Sequence, residues 1–347
     1  MARGFALYRR LIAAALALTA IVIVFGAYVR LSDAGLGCPD WPGCYGKLSP
    51  AHAAEHILDA HSADPGGPVS LSKAWKEMVH RYLAASLGLL IIVIAIMAWR
   101  IGPGPRVSLR VAVLLVGVVV FQGLLGKWTV TLLLKPAIVT AHLLGGLTTL
   151  ALLAWLALRA SGEVRLQAGG AGGTAPRLCM VARLGVVLLF AQIALGGWTS
   201  TNYAALACTD FPTCHGSLWP EADYANAFHV VRELGMTADG ALLSNAALTA
   251  IHWSHRIGAL VAGSVLFGLG AVLASRRGMQ SLGVALSGGV LLQVSLGIAN
   301  VWLSLPLGLA AAHNAGAALL VVVMVSINYK LASSPGRVRA SLAAMAA

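Results

Sequence analysis

Charged residues are scarce in this sequence. Of its 347 residues only 10% are charged and 59% are hydrophobic, proportions that exclude an ordinary soluble domain. Eight apolar runs, each close to the length that crosses the ~30 Å hydrocarbon core of a bilayer, occupy most of the chain. They lie at 11–29, 78–99, 111–134, 137–158, 184–201, 251–274, 281–303 and 307–328. The sequence therefore predicts an all-α membrane protein with eight transmembrane helices.

Two features of a removed N-terminal segment are also lacking. MARGFALYRR gives the first apolar run a basic start, but no small-residue cleavage site lies between that run and the charged loop that follows. No amphipathic segment rich in Arg and Ser, typical of import into an organelle, precedes the run either. We therefore expect the first run to be a retained helix and the protein to lie in a bacterial inner membrane.

Acidic residues are few, and almost all of them fall on one side of the predicted membrane. The side that carries both termini holds 15 of the 24 basic residues but only one of the 12 acidic residues, Glu163. Because Lys and Arg are retained on the cytoplasmic side, both termini are predicted to be cytoplasmic. The net charge of +12 then reflects this topology and contact with anionic lipid, and it does not indicate nucleic-acid binding.

The chain contains the same pattern twice. GAYVRLSDAGLGCPDWPGCYG, from Gly26, aligns with GGWTSTNYAALACTDFPTCHG, from Gly196, with identity at eight of 21 positions. Four spans per copy give both copies the same orientation, so the sequence predicts two tandem four-helix bundles related by pseudo-two-fold symmetry along the membrane normal. The predicted first bundle covers 1–160, a Gly-rich cytoplasmic linker covers 161–180, and the second bundle covers 181–347.

Four histidines occupy matching places in the two copies: His80 and His142 in the first, His255 and His313 in the second. All four lie near the starts of even-numbered spans, at one predicted depth, where an imidazole needs a partner. Two histidines facing each other across a bundle are the arrangement of axial ligands to heme iron. The spans lack the clustered Cys, Asp or Glu that would complete a zinc or copper site. The plainer alternative is hydrogen bonding of each imidazole to a neighbouring carbonyl group.

Charged residues accompany these histidines. Glu77 precedes His80 by three residues and shares its helix face, and the second copy has His252 in that position. A carboxylate there could move protons or stabilise positive charge on a substrate, and a solvated helix start is the alternative. His252 either lies near the second site or marks the membrane interface. Arg81 and Arg256 follow the histidines and are expected to contact either heme propionates or the interface.

Each copy also carries a pair of loop cysteines. Cys38 and Cys44 enclose PDWPG, and Cys208 and Cys214 enclose TDFPT. Pro and Asp can turn the chain back, so each pair could close a disulfide on the oxidising side of the membrane. A structural staple, a redox role and a single zinc site built from all four cysteines stay open as interpretations. Cys179 is left over and is expected to be an unpaired packing residue.

The motifs taken together resemble the heme A synthase family, in its bacterial type with paired loop cysteines. They are GAYVRLSDAGLGCPDWPGCYG, EMVHRYLA, QGLLGKWTV, TAHLLGG, QIALGGWTS, CTDFPTCHG, the HR of IHWSHRIG, and AAHNAG. The resemblance implies an oxidoreductase that converts the C8 methyl group of heme O to a formyl group by successive hydroxylations. The product, heme A, serves cytochrome oxidase.

The resemblance also implies roles for individual residues. His80 and His142 are expected to hold the substrate heme, with Glu77 as the catalytic carboxylate. His255 and His313 are expected to hold a heme b cofactor, so that all four histidines are iron ligands. The implied partners are heme O, heme O synthase, an electron donor and membrane lipid, and a homo-oligomer is a further option.

Two other functions are compatible with the same residues. A b-type membrane cytochrome could pass electrons between quinol and a periplasmic disulfide, and a non-catalytic carrier could bind heme in both halves without changing it. The loop at 50–70, which carries His52, His56 and His61, matches no motif of the family and is expected to be a solvated segment.

Overall fold

The computed structural model of the chain describes residues 2–162 and 174–332. These residues form eight long α-helices, two short α-helices and one 3-10 turn, Ala204–Leu206, and no β-strand. The long helices are α1 (Ala2–Leu31), α3 (Leu71–Ile101), α4 (Leu109–Thr131), α5 (Pro136–Ser161), α6 (Thr174–Thr201), α8 (Asn245–Ala274), α9 (Gln280–Trp302) and α10 (Leu307–Leu331); the short ones are α2 (Ala54–Ala63) and α7 (Tyr224–Ala227). All eight long helices are long and apolar enough to span a membrane, which confirms the predicted fold class.

Four spanning helices, α1, α3, α6 and α8, begin well before their predicted apolar runs, and two of these, α3 and α8, start at a capping serine. The predicted runs start at 78 and 251, whereas α3 begins at Leu71 and α8 at Asn245. Ser70 caps α3 by accepting a hydrogen bond from the Lys73 N–H at 3.3 Å, and Ser244 caps α8 in the same way at 3.1 Å. A capped N-terminus lets a helix extend through polar residues that a hydropathy average does not count. The early start therefore places Glu77 inside α3 ahead of the predicted run, whereas His252 lies within the predicted run of α8.

The loop at 50–70 is more ordered than the sequence predicts. It contains α2, whose Ile57 is fully buried against Cys38 and Cys44. The ring of His56 stacks on Tyr45. The expectation of a purely solvated segment is therefore wrong, because one apolar side chain anchors this helix on the neighbouring disulfide loop.

Loops of the two halves share unusual backbone conformations. Non-glycine residues with positive φ occur in pairs at corresponding positions: Asp33 and Tyr203, Tyr45 and His215, Leu133 and Ser304, Leu134 and Leu305. A cis peptide bond precedes Pro42 in the first half and Pro212 in the second. Because such φ values are uncommon for residues other than glycine, their recurrence shows that corresponding loops follow the same path. The pseudo-two-fold axis along the membrane normal stays a prediction.

The two halves pack directly against each other. Helices α1 and α5 of the first half contact α10 of the second, and α5 also contacts α6. One buried cluster combines residues from both halves, among them Ile23, Leu147 and Leu150 with Leu266 and Met324. The predicted linker at 161–180 overlaps the start of α6, and its residues 163–173 lie outside the described part of the chain.

Polar contacts also join the halves. Arg30, near the end of α1, donates a hydrogen bond to the Tyr203 hydroxyl at 2.9 Å and lies over its ring. The Tyr203 hydroxyl in turn donates to Asp33 at 2.9 Å. We call Arg30, Asp33 and Tyr203 the clasp. A second contact pairs Lys135 with Glu233 at 2.7 Å.

Candidate functional site

The four histidines lie on diagonally opposed helices of the two bundles. In the first half, contacts run from α1 to α3, α4, α5 and back to α1, so α3 and α5 face each other across the bundle. The second half repeats this order with α6, α8, α9 and α10. His80 on α3 and His142 on α5 lie close enough to interact electrostatically, and so do His255 on α8 and His313 on α10. Each half thus brings one pair of imidazoles toward its centre.

A glycine on an adjoining helix faces each imidazole. A Cβ atom added to that glycine would meet the ring Cε1 atom at the following distances: 2.7 Å for Gly26 and His80, 3.5 Å for Gly126 and His142, 3.0 Å for Gly196 and His255, and 3.3 Å for Gly297 and His313. The first and third distances leave no room for a methyl group unless the ring moves. An alanine in place of Gly26 or Gly196 would therefore displace the ring of His80 or His255.

Three of the four rings have a buried nitrogen atom without a hydrogen-bond partner. The atoms are Nδ1 of His80, His142 and His313, although each side chain as a whole is only partly buried. Leaving a buried polar group unpaired costs free energy. The backbone of Gln122 lies within bonding reach of the His142 ring and that of Gln293 within reach of the His313 ring, so carbonyl bonding stays open for these two and does not describe His80. Paired imidazoles across a bundle suit an iron atom with two axial ligands.

Other metal sites fit less well. Within residues 2–162 and 174–332, no group of three or more His, Cys, Asp or Glu side chains is placed to hold a metal ion. A zinc or copper site with a full set of protein ligands is therefore not formed there. A heme, which brings four nitrogen ligands of its own, needs only the two imidazoles that each half offers.

Glu77 fastens α3 to the first cysteine loop. Its side chain is buried, with 4% exposed. One carboxylate oxygen accepts a hydrogen bond from the Cys38 N–H at 2.9 Å, and the other accepts one from the Arg81 guanidinium. The alternative of a solvated helix start is therefore wrong, and a buried carboxyl group paired with Arg81 lies one helical turn before His80.

His252 occupies the corresponding position in the second half. The Cys208 N–H points at its Nδ1 at 3.2 Å, and Nε of Arg256 points at its Nε2 at 3.2 Å. A neutral imidazole has only one acceptor nitrogen, so only one of these contacts can be a hydrogen bond. The Glu77 carboxylate satisfies both donors in the first half, whereas His252 satisfies one.

The two arginines bind the cysteine loops. Arg81 donates to the backbone oxygens of Asp40 and Gly43 at 2.8 and 2.6 Å. Arg256 donates to those of Asp210 and Thr213, both at 2.8 Å. The sequence did not indicate this role. A contact with heme propionates would compete with these bonds.

Each pair of loop cysteines forms a disulfide. The S–S distances are 2.07 Å for Cys38–Cys44 and 1.99 Å for Cys208–Cys214, so a zinc site that joins all four cysteines is wrong. All four side chains are fully buried, which keeps an attacking thiolate away. The burial favours a structural staple. Cys179 is free and donates to the Leu331 carbonyl oxygen at 3.3 Å.

An aspartate organises each disulfide loop. The Asp210 carboxylate accepts hydrogen bonds from the Thr213 hydroxyl at 2.6 Å and from the backbone N–H groups of Gly216 and His215 at 2.9 and 2.7 Å. These bonds hold the pKa of Asp210 well below its ordinary value. Asp40 accepts two backbone hydrogen bonds in the first loop, at 2.6 and 2.7 Å.

Three glutamines that the sequence analysis did not single out lie beside the histidines. Gln192 reaches the ring and backbone of His255, and Gln293 reaches the backbone of His313. Gln122 on α4 lies against the helix turn that follows His142. A polar side chain inside an apolar run of membrane-spanning length was the signal that could have revealed them.

The chain is similar to known proteins over nearly its whole length. A family model described as cytochrome oxidase assembly protein (COX15-CtaA) matches residues 9–325. The heme A synthase of Shewanella oneidensis is 42% identical over 326 residues, which cover 93% of this chain and 97% of that protein. The heme A synthases of Novosphingobium aromaticivorans and Caulobacter vibrioides are 31% and 28% identical; the matches cover 92% and 89% of this chain and 93% and 92% of the relatives. The matched range contains the four histidines, Glu77 and the loop cysteines.

Proposed function

The chain belongs to the cytochrome oxidase assembly protein family, and on that premise we propose that it is a heme A synthase, which converts heme O to heme A. The observation that carries the proposal is the pair of facing imidazoles in each half, three of them with an unpartnered ring nitrogen. The relative with 42% identity over 93% of the chain is named heme A synthase.

The two halves are proposed to bind different hemes, the first half the substrate and the second half a cofactor. His80 and His142 hold the substrate heme, and His255 and His313 hold a heme b cofactor. Glu77 supports this division, because the second half has His252 in place of the carboxyl group. A bound heme b would supply one-electron transfer.

The proposed chemistry takes place on one methyl carbon. In each of two successive hydroxylations of the C8 methyl group of heme O, one atom of O2 enters a C–H bond and the other leaves as water, with two electrons from the proposed donor and two protons. The resulting geminal diol loses water, which leaves the formyl group. Removing electrons from that carbon develops positive charge on it. The buried Glu77 carboxylate, one turn from His80, is proposed to stabilise this charge and to accept a proton.

The proposed setting is a bacterial inner membrane. Eight apolar helices make this a multi-pass membrane protein, and the relatives named above are bacterial. We place both termini in the cytoplasm from the distribution of Lys and Arg, so that the disulfide loops face the oxidising side. Heme O synthase is proposed as a partner because it supplies the substrate, and an electron donor because the reaction consumes electrons.

The test is pigment analysis of membranes. Cells that supply heme O but make no heme A are given this chain, and extracted hemes are separated before and after expression. Heme A is expected with the native chain. A double variant, His80→Ala with His142→Ala, is the matched control and should leave heme O unchanged; heme O alone with the native chain would refute the proposal.

The structure gives the alternative functions less support. Electron exchange between a b-type heme and a disulfide needs accessible sulfur atoms, and all four cysteines are fully buried. A carrier would use Glu77 only to bind the first cysteine loop and would need no proton acceptor beside its heme. Release of heme with its side chains unaltered, together with indifference to Glu77→Ala, would favour the carrier.

A further inference from the structure

Three of the four histidines share a local arrangement. On the helix that faces the ring, a glutamine precedes the ring-facing glycine by four residues; on the histidine's own helix, a second glycine follows the histidine by three residues and lies against that glutamine. The sets are Gln122, Gly126, His142 and Gly145; Gln192, Gly196, His255 and Gly258; Gln293, Gly297, His313 and Gly316. The glycine after each histidine makes room for the carboxamide.

The carboxamides tie the histidine-bearing turns to the neighbouring helices. Nε2 of Gln192 donates to the His255 carbonyl oxygen at 3.0 Å and lies 2.9 Å from its Nδ1. Nε2 of Gln293 donates to the His313 carbonyl oxygen at 3.0 Å. Inside a bilayer such a bond has no water to compete with it.

Gln122 occupies the same place beside His142, but its side-chain amide is flipped, so that Oε1 and Nε2 have exchanged positions. Its Nε2 faces Gly145, where Gln192 and Gln293 present Oε1 to their glycines, and this Nε2 is buried without a partner. Exchange of the two amide ends, which are nearly identical in shape, would give Gln122 the bond that the other two glutamines make. The turn that carries His142 therefore has the same means of attachment.

His80 lacks this arrangement. Gly26 faces its ring, but the residue four positions before Gly26 is Val22, and the residue three positions after His80 is Leu83. Val22 packs in an apolar cluster of the first half. The His80 turn therefore has no carboxamide bond to a neighbouring helix; Glu77 and Arg81 on the same helix bind the first cysteine loop instead.

We propose that His80 is the ligand that releases the iron of the substrate heme, while His142 stays bound. The inference rests on the proposed function and deepens it, because a heme with two imidazole ligands has no open position on its iron. Release of His80 opens that position on the α3 side of the first half. Glu77, one turn earlier, lies on the same helix face as the released imidazole.

Removal of each ligand in turn tests the proposal on the purified full chain loaded with heme O. The native chain should hold two hemes. In His80→Ala, His142 should retain the first-half heme, and its absorption should shift to a five-coordinate, high-spin form that binds carbon monoxide. In His142→Ala, the first-half heme should be lost during purification.

A second test leaves all four histidines in place. The double variant Val22→Gln, Leu83→Gly gives the His80 turn the missing carboxamide and its glycine. Carbon monoxide should then bind the reduced first-half heme ~5- to 10-fold more slowly, the factor that corresponds to one hydrogen bond of ~1 kcal/mol. Ile21→Gln, on the exposed side of α1, is the matched control and should leave the rate unchanged.

Three outcomes of these experiments would overturn the proposal that His80 is the released ligand. Retention of the heme by His142→Ala together with its loss from His80→Ala overturns the proposal, and so does equal retention by both variants. An unchanged carbon monoxide rate in the double variant overturns it too. If the native chain takes up no heme O in its first half, the proposed function itself fails, and that result precedes any variant.

Discussion

Glu77 and His252 show how one residue can separate two similar halves. Both are buried at the same position beside a disulfide loop, and both face a backbone N–H group and an arginine. The carboxylate can accept from both donors, whereas the imidazole can accept from one. The carboxyl group thus serves the loop and also places an acidic group, paired with Arg81, beside the first histidine pair.

Replacement of Glu77 by histidine separates these two contributions. Glu77→His should keep one of the loop bonds, as His252 does, and should therefore change the unfolding temperature only slightly. Heme A formation should fall by ~10²-fold or more, because the charge and proton acceptor are lost. Product analysis and thermal unfolding in detergent measure the two effects. Glu77→Ala, which removes both contributions, should lower both readouts, and native rates of heme A formation in Glu77→His would contradict the role of the charge.

Gly26 offers a second residue-scale prediction. A methyl group at this position would meet the His80 ring at 2.7 Å, so Gly26→Ala should displace the imidazole and lower the heme content of the first half. Optical spectra and heme-to-protein ratios measure the loss. Gly123→Ala is the matched control, since an added Cβ there contacts nothing within 4 Å and the heme content should not change. Equal heme content in both variants would show that the ring is not confined by Gly26.

At the scale of elements, the disulfide loops depend on a carboxylate. The hydrogen bonds to Asp210 favour its ionised form and lower its pKa from the ordinary 3.8. The stabilisation from this depressed pKa is fully present above 3.8 and is lost as the pH falls through the lower value of the folded loop. At neutral pH the loop therefore keeps all of these bonds.

Asp210→Asn should loosen the second loop without removing its disulfide. The amide cannot replace a carboxylate that accepts three hydrogen bonds, so a phosphine reductant should break Cys208–Cys214 faster in the variant at neutral pH. The native loop should become as easily reduced only well below pH 3.8. Thiol labelling over time gives the rate, and Asp239→Asn in an exposed loop is the control. An unchanged rate in Asp210→Asn would mean that burial alone protects the disulfide.

The extent of sequence-based prediction differs between elements. The eight spanning helices follow from hydropathy, because a bilayer selects for length and apolarity. The early starts of α3 and α8 do not, since they depend on the Ser70 and Ser244 caps. The order of Ile57 in α2 and the loop-binding role of Arg81 depend on contacts between segments distant in the chain, which periodicity does not record.

At the scale of the whole molecule, the clasp predicts how the halves stay together. Arg30 contacts the Tyr203 hydroxyl and the backbone oxygens of Ser200 and Thr201. Arg30→Ala should remove these bonds and destabilise the protein by about 1–3 kcal/mol. Arg110→Ala, at an exposed position, is the control.

Separate expression of the halves makes the effect visible. If the chain is cut between residues 162 and 174, the two pieces should purify together, because α1 and α5 pack on α6 and α10. The yield of the complex should fall with Arg30→Ala and stay unchanged with Arg110→Ala. Pieces that never associate would show that the shared core alone does not hold the halves.

The disulfides bear on how such a chain is made. In each of them the two cysteines are separated by only six positions in the sequence, so both thiols belong to one short loop. Oxidation of the first loop can therefore be completed during synthesis, before the helices of the second half have left the ribosome. When Cys208 and Cys214 emerge, no reduced cysteine of the first loop remains to compete for them. Local closure thus protects a duplicated chain, which carries the same cysteine pattern twice, from exchanging the partners of its two copies.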